Sequence, residues 1–240
     1  MRRLLFTLVI ILAASLLKAQ SNKWEDISKN RIEIYFSFLT KDAGKLNELS
    51  RIISIDRVEG GMAYAYANEK QYREFIKRNI PFNLKTPPGL QLSNTRMLSA
   101  NEIKDIDDWD FYPTYDGYVS MMNGFAADYP DICELVELGT LSSGRKILAI
   151  RISDNIGSTE AEPEFLYTSS IHGDETTGYV LMLRLIDYLL SNYGSNDRVT
   201  EIVDNMDLYI NPLANPDGTY ATGNGSVNGA TRGNANGIDL

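Results

Sequence analysis

Two residue types that often carry structure or chemistry are almost absent from this 240-residue sequence, which has one cysteine, Cys133, and one histidine, His172. With a single cysteine no intrachain disulfide can form, so a packed core must stabilise the fold. The 43% of residues that are hydrophobic suffice for such a core in one or two domains. Basic residues are also in the minority, since 23 Lys and Arg against 32 Asp and Glu give a formal net charge of −9. This acidic balance argues against a nucleic-acid partner.

Long apolar runs are missing except at the N-terminus, where two arginines precede a run from Leu4 to Leu17 and the small residue Ala19. This order predicts a secretory signal peptide, residues 1–19, because the run is too short for a membrane span. A retained N-terminal anchor is the alternative. No cysteine follows the run, which argues against a lipid-attached form. Removal of residues 1–19 changes the formal net charge from −9 to −12, and we expect a secreted or periplasmic protein without stable membrane association.

The pattern of residues 31–85 predicts the element order β-α-β-β-α-β. Alternating apolar residues in RIEIYFSF indicate a half-buried strand, and the Gly60–Gly61 pair indicates a tight hairpin between two further strands. Asn68 and Gln71 have the spacing of a capping box at the start of the second helix. This order is typical of a small ferredoxin-like α+β sandwich. We predict such a segment over residues 25–86, with no chemistry of its own.

The remaining sequence changes character twice. Residues 87–107 have a Pro-Pro-Gly break and no sustained periodicity, so they are predicted to be a linker. From residue 108, longer strands alternate with amphipathic helices, one ending at Pro130 and another at Gly194. Strands separated by helices predict an α/β fold, here a mixed sheet with helices on both faces. The NPDG stretch, residues 215–218, is predicted to be a turn.

The stretch SIHGDET contains the residues that best fit a metal site. His172 and Glu175 lie at positions i and i+3, after an apolar strand and before a helix, so both side chains can face one ion. Imidazole and carboxylate are zinc ligands, and a catalytic zinc site takes three protein ligands and leaves one position for water. Taken alone, an HxxE pair is weak evidence. The context strengthens it, because open α/β sheets bind their ligands at strand ends.

Three further stretches, LSSGRKI, NPLANPDGTY and TRGNANGIDL, occur with SIHGDET in an order that resembles the zinc metallocarboxypeptidases of the M14 family. In that family an HxxE zinc motif is followed by an NPDG turn and then by a stretch of the form RxNxxGxDLNRNF. The resemblance covers residues 108–240, and SIHGDETTGY looks closer to the carboxypeptidase N/E branch than to the digestive A/B branch. It implies a secreted peptidase that hydrolyses C-terminal peptide bonds and uses one Zn²⁺ per catalytic domain.

The resemblance also implies a role for each matching residue. His172 and Glu175 match two zinc ligands, and Asp239 matches the carboxylate that accepts a hydrogen bond from the zinc-bound imidazole. Arg232 matches the arginine that polarises the scissile carbonyl and stabilises the oxyanion. The alternative is that Arg232 has no catalytic role and lies in a flexible loop rich in glycine and asparagine. Arg145 resembles an arginine that lines the outer substrate cleft, and a solvated surface charge is its alternative.

The family pattern continues past the motifs quoted above. The third zinc ligand in the family is a histidine and the general base is a glutamate, and both follow later, as do the residues that bind the substrate's terminal carboxylate. We therefore expect an N-terminal portion of a longer precursor, which alone binds zinc weakly and hydrolyses no peptide. Residues 25–86 are expected to be a pro-segment that covers the cleft or assists folding.

Two other functions fit the same sequence. Related zinc amidohydrolases that act on cell-wall peptides or acylated amino acids share the HxxE motif. A secreted, non-catalytic binding module can keep this fold without the catalytic residues. The expected partner is a peptide or protein substrate, and the sequence does not indicate an oligomeric state.

Overall fold

The computed structural model describes residues 23–40, 42–92, 95–103, 108–158 and 160–240. The predicted signal peptide, residues 1–19, lies outside these ranges. Within them, no helix has both the length and the apolar character needed to cross a membrane. The described chain begins with a short helix, α1 (Trp24–Ser28), and then forms two four-stranded sheets and a two-stranded one.

The first sheet and its helices follow the predicted order β-α-β-β-α-β. The elements are β1 (Glu33–Leu39), α2 (Ala43–Leu49), β2 (Ser54–Glu59), β3 (Met62–Asn68), α3 (Glu69–Ile76) and β4 (Phe82–Lys85). The strand order is β2-β3-β1-β4, and neighbouring strands are antiparallel. Both helices pack on one face, against a core that includes Phe36, Phe38 and Phe75. This is the arrangement of a ferredoxin-like sandwich.

Local sequence explains how these elements begin and turn. Asn68 accepts a hydrogen bond from the Gln71 N–H, and the Gln71 side chain accepts one from the Asn68 N–H, which completes the predicted capping box of α3. The side chain of Asp42 caps α2. Gly60 and Gly61 connect β2 to β3 with φ angles of 57° and 80°, which residues with a side chain rarely adopt.

Strand β1 is more buried than predicted. Its apolar residues alternate as expected for a half-buried strand, but six of its seven residues are buried. The polar residues Glu33, Tyr35 and Ser37, on the face away from α2 and α3, are 6%, 2% and 1% exposed. Part of the reason is a contact that the local pattern cannot reveal, because Glu33 hydrogen-bonds to the backbone of residues 232 and 233.

The stretch predicted to be a linker is packed against the C-terminal part of the chain. It contains a 3₁₀ turn (Pro88–Leu90) and strand β5 (Met97–Leu98), which pairs in parallel with β6 (Tyr112–Pro113). A Cβ atom on Gly89 would come within 2.1 Å of the Ala230 carbonyl oxygen, so only glycine fits at this contact. The boundaries of the predicted segments stay a prediction, but this contact ties the stretch to the rest of the fold.

The second large sheet is mixed, as predicted. Its elements are α4 (Tyr115–Asp128), β7 (Cys133–Thr140), β8 (Lys146–Ile152), β9 (Glu164–Thr168), α5 (Thr176–Asn192), α6 (Asp197–Val203), β10 (Asp207–Asn211) and α7 (Pro216–Thr219). The strand order is β7-β8-β10-β9, with β10 antiparallel to β8 and parallel to β9. Helix α6 is missing from the sequence-based prediction because seven residues are too few for a clear period. The NPDG stretch begins one helical turn, α7, rather than a simple turn.

Helices α4 and α5 share one core with the second sheet. Tyr118 and Met122 of α4 and Tyr179 of α5 are fully buried in this core. The opposite face of the sheet carries Tyr209 and Arg151, whose guanidinium carbon lies 6.0 Å from the Tyr209 ring centroid. The α/β class is confirmed, while helical cover of this opposite face stays a prediction.

Candidate metal centre

His172 lies in the loop between β9 and α5. Because β9 and β10 run in parallel, the loops that follow them lie at the same edge of the sheet. Ser170 in this loop has a left-handed conformation with φ of 53°, and its hydroxyl donates a hydrogen bond to the Glu175 carbonyl oxygen at 2.8 Å. The loop therefore turns so that Glu175, the residue before α5, comes next to His172.

Both ring nitrogens of His172 have a carboxylate neighbour. Nδ1 lies 2.8 Å from Glu175 Oε1, and Nε2 lies 3.2 Å from Asp239 Oδ1. Two ligand atoms on one tetrahedral zinc ion are about 3.4 Å apart, since each bond is about 2.1 Å long. The first pair, at 2.8 Å, lies close enough for both atoms to reach one ion after a small separation, and Asp239 lies beside the other ring nitrogen. The side chain of His172 is 17% exposed and that of Glu175 is 51% exposed, so the pair is open to solvent at Glu175.

Arg232 and Asp239 lie beside the imidazole. Arg232 Nε is 3.0 Å from Asp239 Oδ1 and donates a hydrogen bond to Ser54 Oγ at 2.8 Å. Asp239 Oδ1 is buried, yet its contacts to His172 and Arg232 lack hydrogen-bond alignment. The two Nη groups of Arg232 make no hydrogen bond to any residue within the described ranges. Arg232 thus brings a charged group with unused donors next to the candidate metal ligands.

Backbone contacts hold the Arg232 segment against the loop of His172. The Gly173 N–H donates to the Arg232 carbonyl oxygen at 3.2 Å, and the Thr231 N–H donates to the Gly218 carbonyl oxygen at 2.9 Å. Gly173 and Gly218 also touch, since a Cβ atom on Gly173 would lie 2.2 Å from the Gly218 carbonyl carbon. Glycine at position 173 is therefore required for the NPDG turn to approach the HxxE loop this closely.

The first sheet reaches the same place with side chains of β3. The Tyr66 hydroxyl donates to Asp174 Oδ2 at 2.7 Å, and the Arg232 guanidinium carbon lies 5.7 Å from the Tyr66 ring centroid. At the end of the same strand, the Asn68 side-chain amide donates to the Gly237 carbonyl oxygen at 2.7 Å. Both stretches that carry candidate site residues are therefore in contact with this sheet.

Glu33 of β1 adds a buried carboxylate to these contacts. Its Oε1 accepts from the Arg232 N–H at 2.8 Å, and its Oε2 accepts from the Gly233 N–H at 3.0 Å. Burial raises the pKa of Glu33, although the two backbone hydrogen bonds act in the opposite direction. Burial also raises the pKa of Asp174, although the hydrogen bond from Tyr66 lowers it. Two carboxyl groups, Glu33 buried and Asp174 half-buried, thus lie next to the candidate site without being among its expected ligands.

Arg145 is held by the NPDG region and is not a solvated surface charge. Its side chain is 16% exposed. Nη1 donates to Asp217 Oδ1 at 2.7 Å, Nε to Asn224 Oδ1 at 3.0 Å, and Nη2 to the Tyr220 carbonyl oxygen at 2.9 Å. Ser143 donates to the same Asp217 oxygen at 2.6 Å. Ser143, Arg145 and Asp217 border a cavity of about 410 Å³, and a place for Arg145 in a substrate cleft stays a prediction.

The structure groups the predicted residues in two sets, with His172, Glu175, Arg232 and Asp239 together and Arg145 with Asp217. Across the described ranges, three potential ligand atoms converge only at the acidic cluster of Asp154, Glu160 and Glu162, which lacks an imidazole. The candidate centre therefore offers two converging ligands, with Asp239 on the far nitrogen of the ring. Sequence reasoning missed the contributions of the first sheet, because the only local signal for them was the charge of Glu33 at the start of β1.

These observations define a mixed α/β protein with a two-residue candidate zinc site and an adjoining arginine, at the carboxyl ends of parallel strands. The family model for zinc carboxypeptidase, peptidase family M14, matches residues 118–240. The chain belongs to this family.

Relatives and a solved structure agree with this assignment. The chain is 41% identical over 118 residues to carboxypeptidase D of Homo sapiens and 40% identical over 176 residues to carboxypeptidase D of Anas platyrhynchos. These matches cover 48% and 72% of the chain but 9% and 13% of the relatives, so the chain spans a small part of their length. The crystal structure of the carboxypeptidase A from Helicoverpa armigera has a TM-score of 0.58 at 19% identity, over 85% of this chain and 53% of that one. At this identity the likeness shows a shared fold.

Proposed function

We propose that this chain supplies two zinc ligands and the oxyanion-binding arginine of a secreted metallocarboxypeptidase, which hydrolyses C-terminal bonds of peptides or proteins. The observation that carries the proposal is the setting of His172. Its Nδ1 lies 2.8 Å from Glu175 Oε1, while its Nε2 lies 3.2 Å from Asp239 Oδ1. These distances support a site in which one ring nitrogen shares an ion with Glu175 and the other is held by Asp239.

His172 Nδ1 and Glu175 Oε1 would hold one Zn²⁺ per catalytic domain. Zinc in such a site lowers the pKa of a bound water and polarises a carbonyl oxygen. With zinc bound, Asp239 would accept the Nε2 proton, which would leave the lone pair on Nδ1 for the ion. Because His172 is the only histidine in these 240 residues, a second imidazole ligand would have to come from elsewhere.

Arg232 would bind the oxygen of the scissile carbonyl. Its Nε donates to Ser54 Oγ, so its two Nη groups are the donors that face no described protein acceptor. Charge-assisted hydrogen bonds to the carbonyl oxygen strengthen as negative charge develops on it, and this stabilises the transition state selectively.

Zinc titration of the chain, followed by calorimetry, tests the two-ligand site. We expect weak binding that is lost in His172→Ala and Glu175→Gln. The control Glu160→Gln, which alters the exposed acidic cluster, should leave this binding unchanged. Tight stoichiometric zinc together with release of C-terminal residues from peptides would contradict the two-ligand proposal. Equal binding by the wild type and His172→Ala would contradict a site at His172.

We also propose that residues 25–86 act as a pro-segment and that residues 1–19 direct export to a secreted or periplasmic location. The contacts of Ser54 and Tyr66 with Arg232 and Asp174 support the first point, since the segment lies on residues that would meet substrate. Deletion of residues 25–86 from the full-length protein should alter folding yield or activity, and unchanged values would refute a pro-segment. Mass spectrometry of the exported protein should find an N-terminus near residue 20.

A further inference from the structure

The segment that carries Arg232 and Asp239 has little structure of its own. Beyond α7 the chain contains no helix or strand through residue 240, and its sequence is rich in glycine and asparagine. Such a segment has many conformations when unfolded, so its single folded conformation is costly in entropy. Specific contacts must therefore hold Arg232 and Asp239 in place.

Contacts with other residues of the second region, residues 108–240, hold Arg232 and Asp239 in place only in part. The Arg232 carbonyl oxygen accepts from Gly173, and the Thr231 N–H donates to Gly218. The N–H groups of Arg232 and Gly233 instead find their acceptor 199 and 200 residues earlier, in the carboxylate of Glu33. These two adjacent N–H groups are held by one side chain of the first sheet.

A buried carboxylate at position 33 destabilises the fold unless hydrogen bonds compensate for its removal from water. Glu33 is 6% exposed and precedes the core residue Ile34 in β1, so its charge is largely removed from water. Two charge-assisted hydrogen bonds, at 2.8 and 3.0 Å, offset that cost and fix both donors at once.

We propose that Glu33 is a positioning residue, which sets the backbone at Arg232 and thereby the placement of Arg232 and Asp239 beside His172. The inference rests on the function proposed for those residues. Glu33 itself contacts neither candidate metal ligand, and it acts through the main chain. The first sheet is then a structural part of the site as well as its cover.

NMR spectroscopy of the chain tests this role with the variant Glu33→Gln. Glutamine keeps the size of the side chain but has only one acceptor oxygen, so one N–H group loses its partner. We expect hydrogen exchange at Arg232 and Gly233 to become about 10-fold faster. The ring signals of His172, which are unambiguous because the chain has one histidine, should shift.

The matched control is Glu59→Gln, which changes an exposed glutamate at the end of β2 in the same sheet. It should leave exchange at Arg232 and Gly233 and the His172 signals unchanged. Amides of β8, in the core of the second region, should exchange as in the wild type in both variants. Equal behaviour of the two variants at Arg232, Gly233 and His172 would overturn the proposal.

If Glu33→Gln does not fold, a pH titration of the wild type tests the positioning role of Glu33 instead. As the pH falls, the amide signals of Arg232 and Gly233 should move together with the carboxyl signal of Glu33. The nearby Asp174 also titrates, so its carboxyl signal is followed separately. Amide signals that ignore the Glu33 titration would overturn the proposal.

Neither measurement uses zinc or substrate. If the chain binds no zinc at His172 but Glu33→Gln still shifts the ring signals, the proposed function fails and the positioning role stands. Unchanged ring signals and exchange rates, with zinc bound at His172, refute the positioning role alone.

Discussion

The two four-stranded sheets differ in how their edges are protected. The edge strands of the first sheet are β2, which carries three charged residues, and β4, which is four residues long. Charge and short length both discourage pairing with another chain. Edge strand β9 of the second sheet instead exposes Phe165, Leu166 and Tyr167, by 49%, 60% and 45%. A strand that is apolar on both faces is typical of the interior of a parallel sheet, so β9 has the composition of an inner strand at an edge position.

The largest expected effect compares the same residue type in the two sheets. Phe36 of β1 is 0% exposed, and Phe165 of β9 is 49% exposed. Phe36→Ala should lower the free energy of unfolding by about 3–5 kcal/mol through the lost contacts and the cavity. Phe165→Ala should lower it by less than about 1.5 kcal/mol, because much of that ring is already in water. Urea unfolding measures both values, and equal losses would contradict the difference between the sheets.

A second comparison concerns ion pairs. The Asp217–Arg145 pair of the second region has side chains 6% and 16% exposed, whereas the Glu69–Arg73 pair on α3 is 48% and 59% exposed. Asp217→Ala should destabilise the fold by about 3 kcal/mol, because it leaves the half-buried Arg145 guanidinium without its charged partner. Glu69→Ala should cost much less, because both side chains of that pair are open to solvent. Chemical unfolding of both variants checks the order, and an equal or larger loss for Glu69→Ala would refute it.

The smallest expected effect concerns self-association through the open edge. A lysine in β9 should hinder edge-to-edge pairing, since charged side chains protect exposed strand edges. We expect Leu166→Lys to lower light scattering by aggregates a few-fold at equal protein concentration. The control Leu39→Lys changes a leucine that is 66% exposed but lies on β1, which has partners on both sides. A similar decrease in both variants would mean that β9 is not the edge responsible.

Local sequence signals made the strands and helices of the first sheet predictable. The Asn68–Gln71 capping box and the Gly60–Gly61 hairpin each depend on residues close in sequence, and both form as expected. The second buried face of β1 was not predictable, because part of what covers it lies about 200 residues later. Periodicity shows which face of a strand is apolar but not whether a distant segment packs on the other face.

The same limit applies to the candidate site. His172 and Glu175 could be proposed together because three positions separate them, and Arg232 and Asp239 because a family motif includes both. Their roles stay predictions, although the structure brings all four together. The contact of Tyr66 with Asp174 spans 108 positions and belongs to no motif, so no sequence pattern could indicate it.

The contact between Gly173 and Gly218 restricts which sequences can replace this one. A Cβ atom at position 173 would lie 2.2 Å from one backbone atom of Gly218, and one at position 218 would lie 2.8 Å from the Gly233 carbonyl oxygen. A single substitution at either position must move backbone that carries His172 or Arg232. Under selection for function, the two glycines should therefore be retained together, and a library randomised at both positions should return glycine at both.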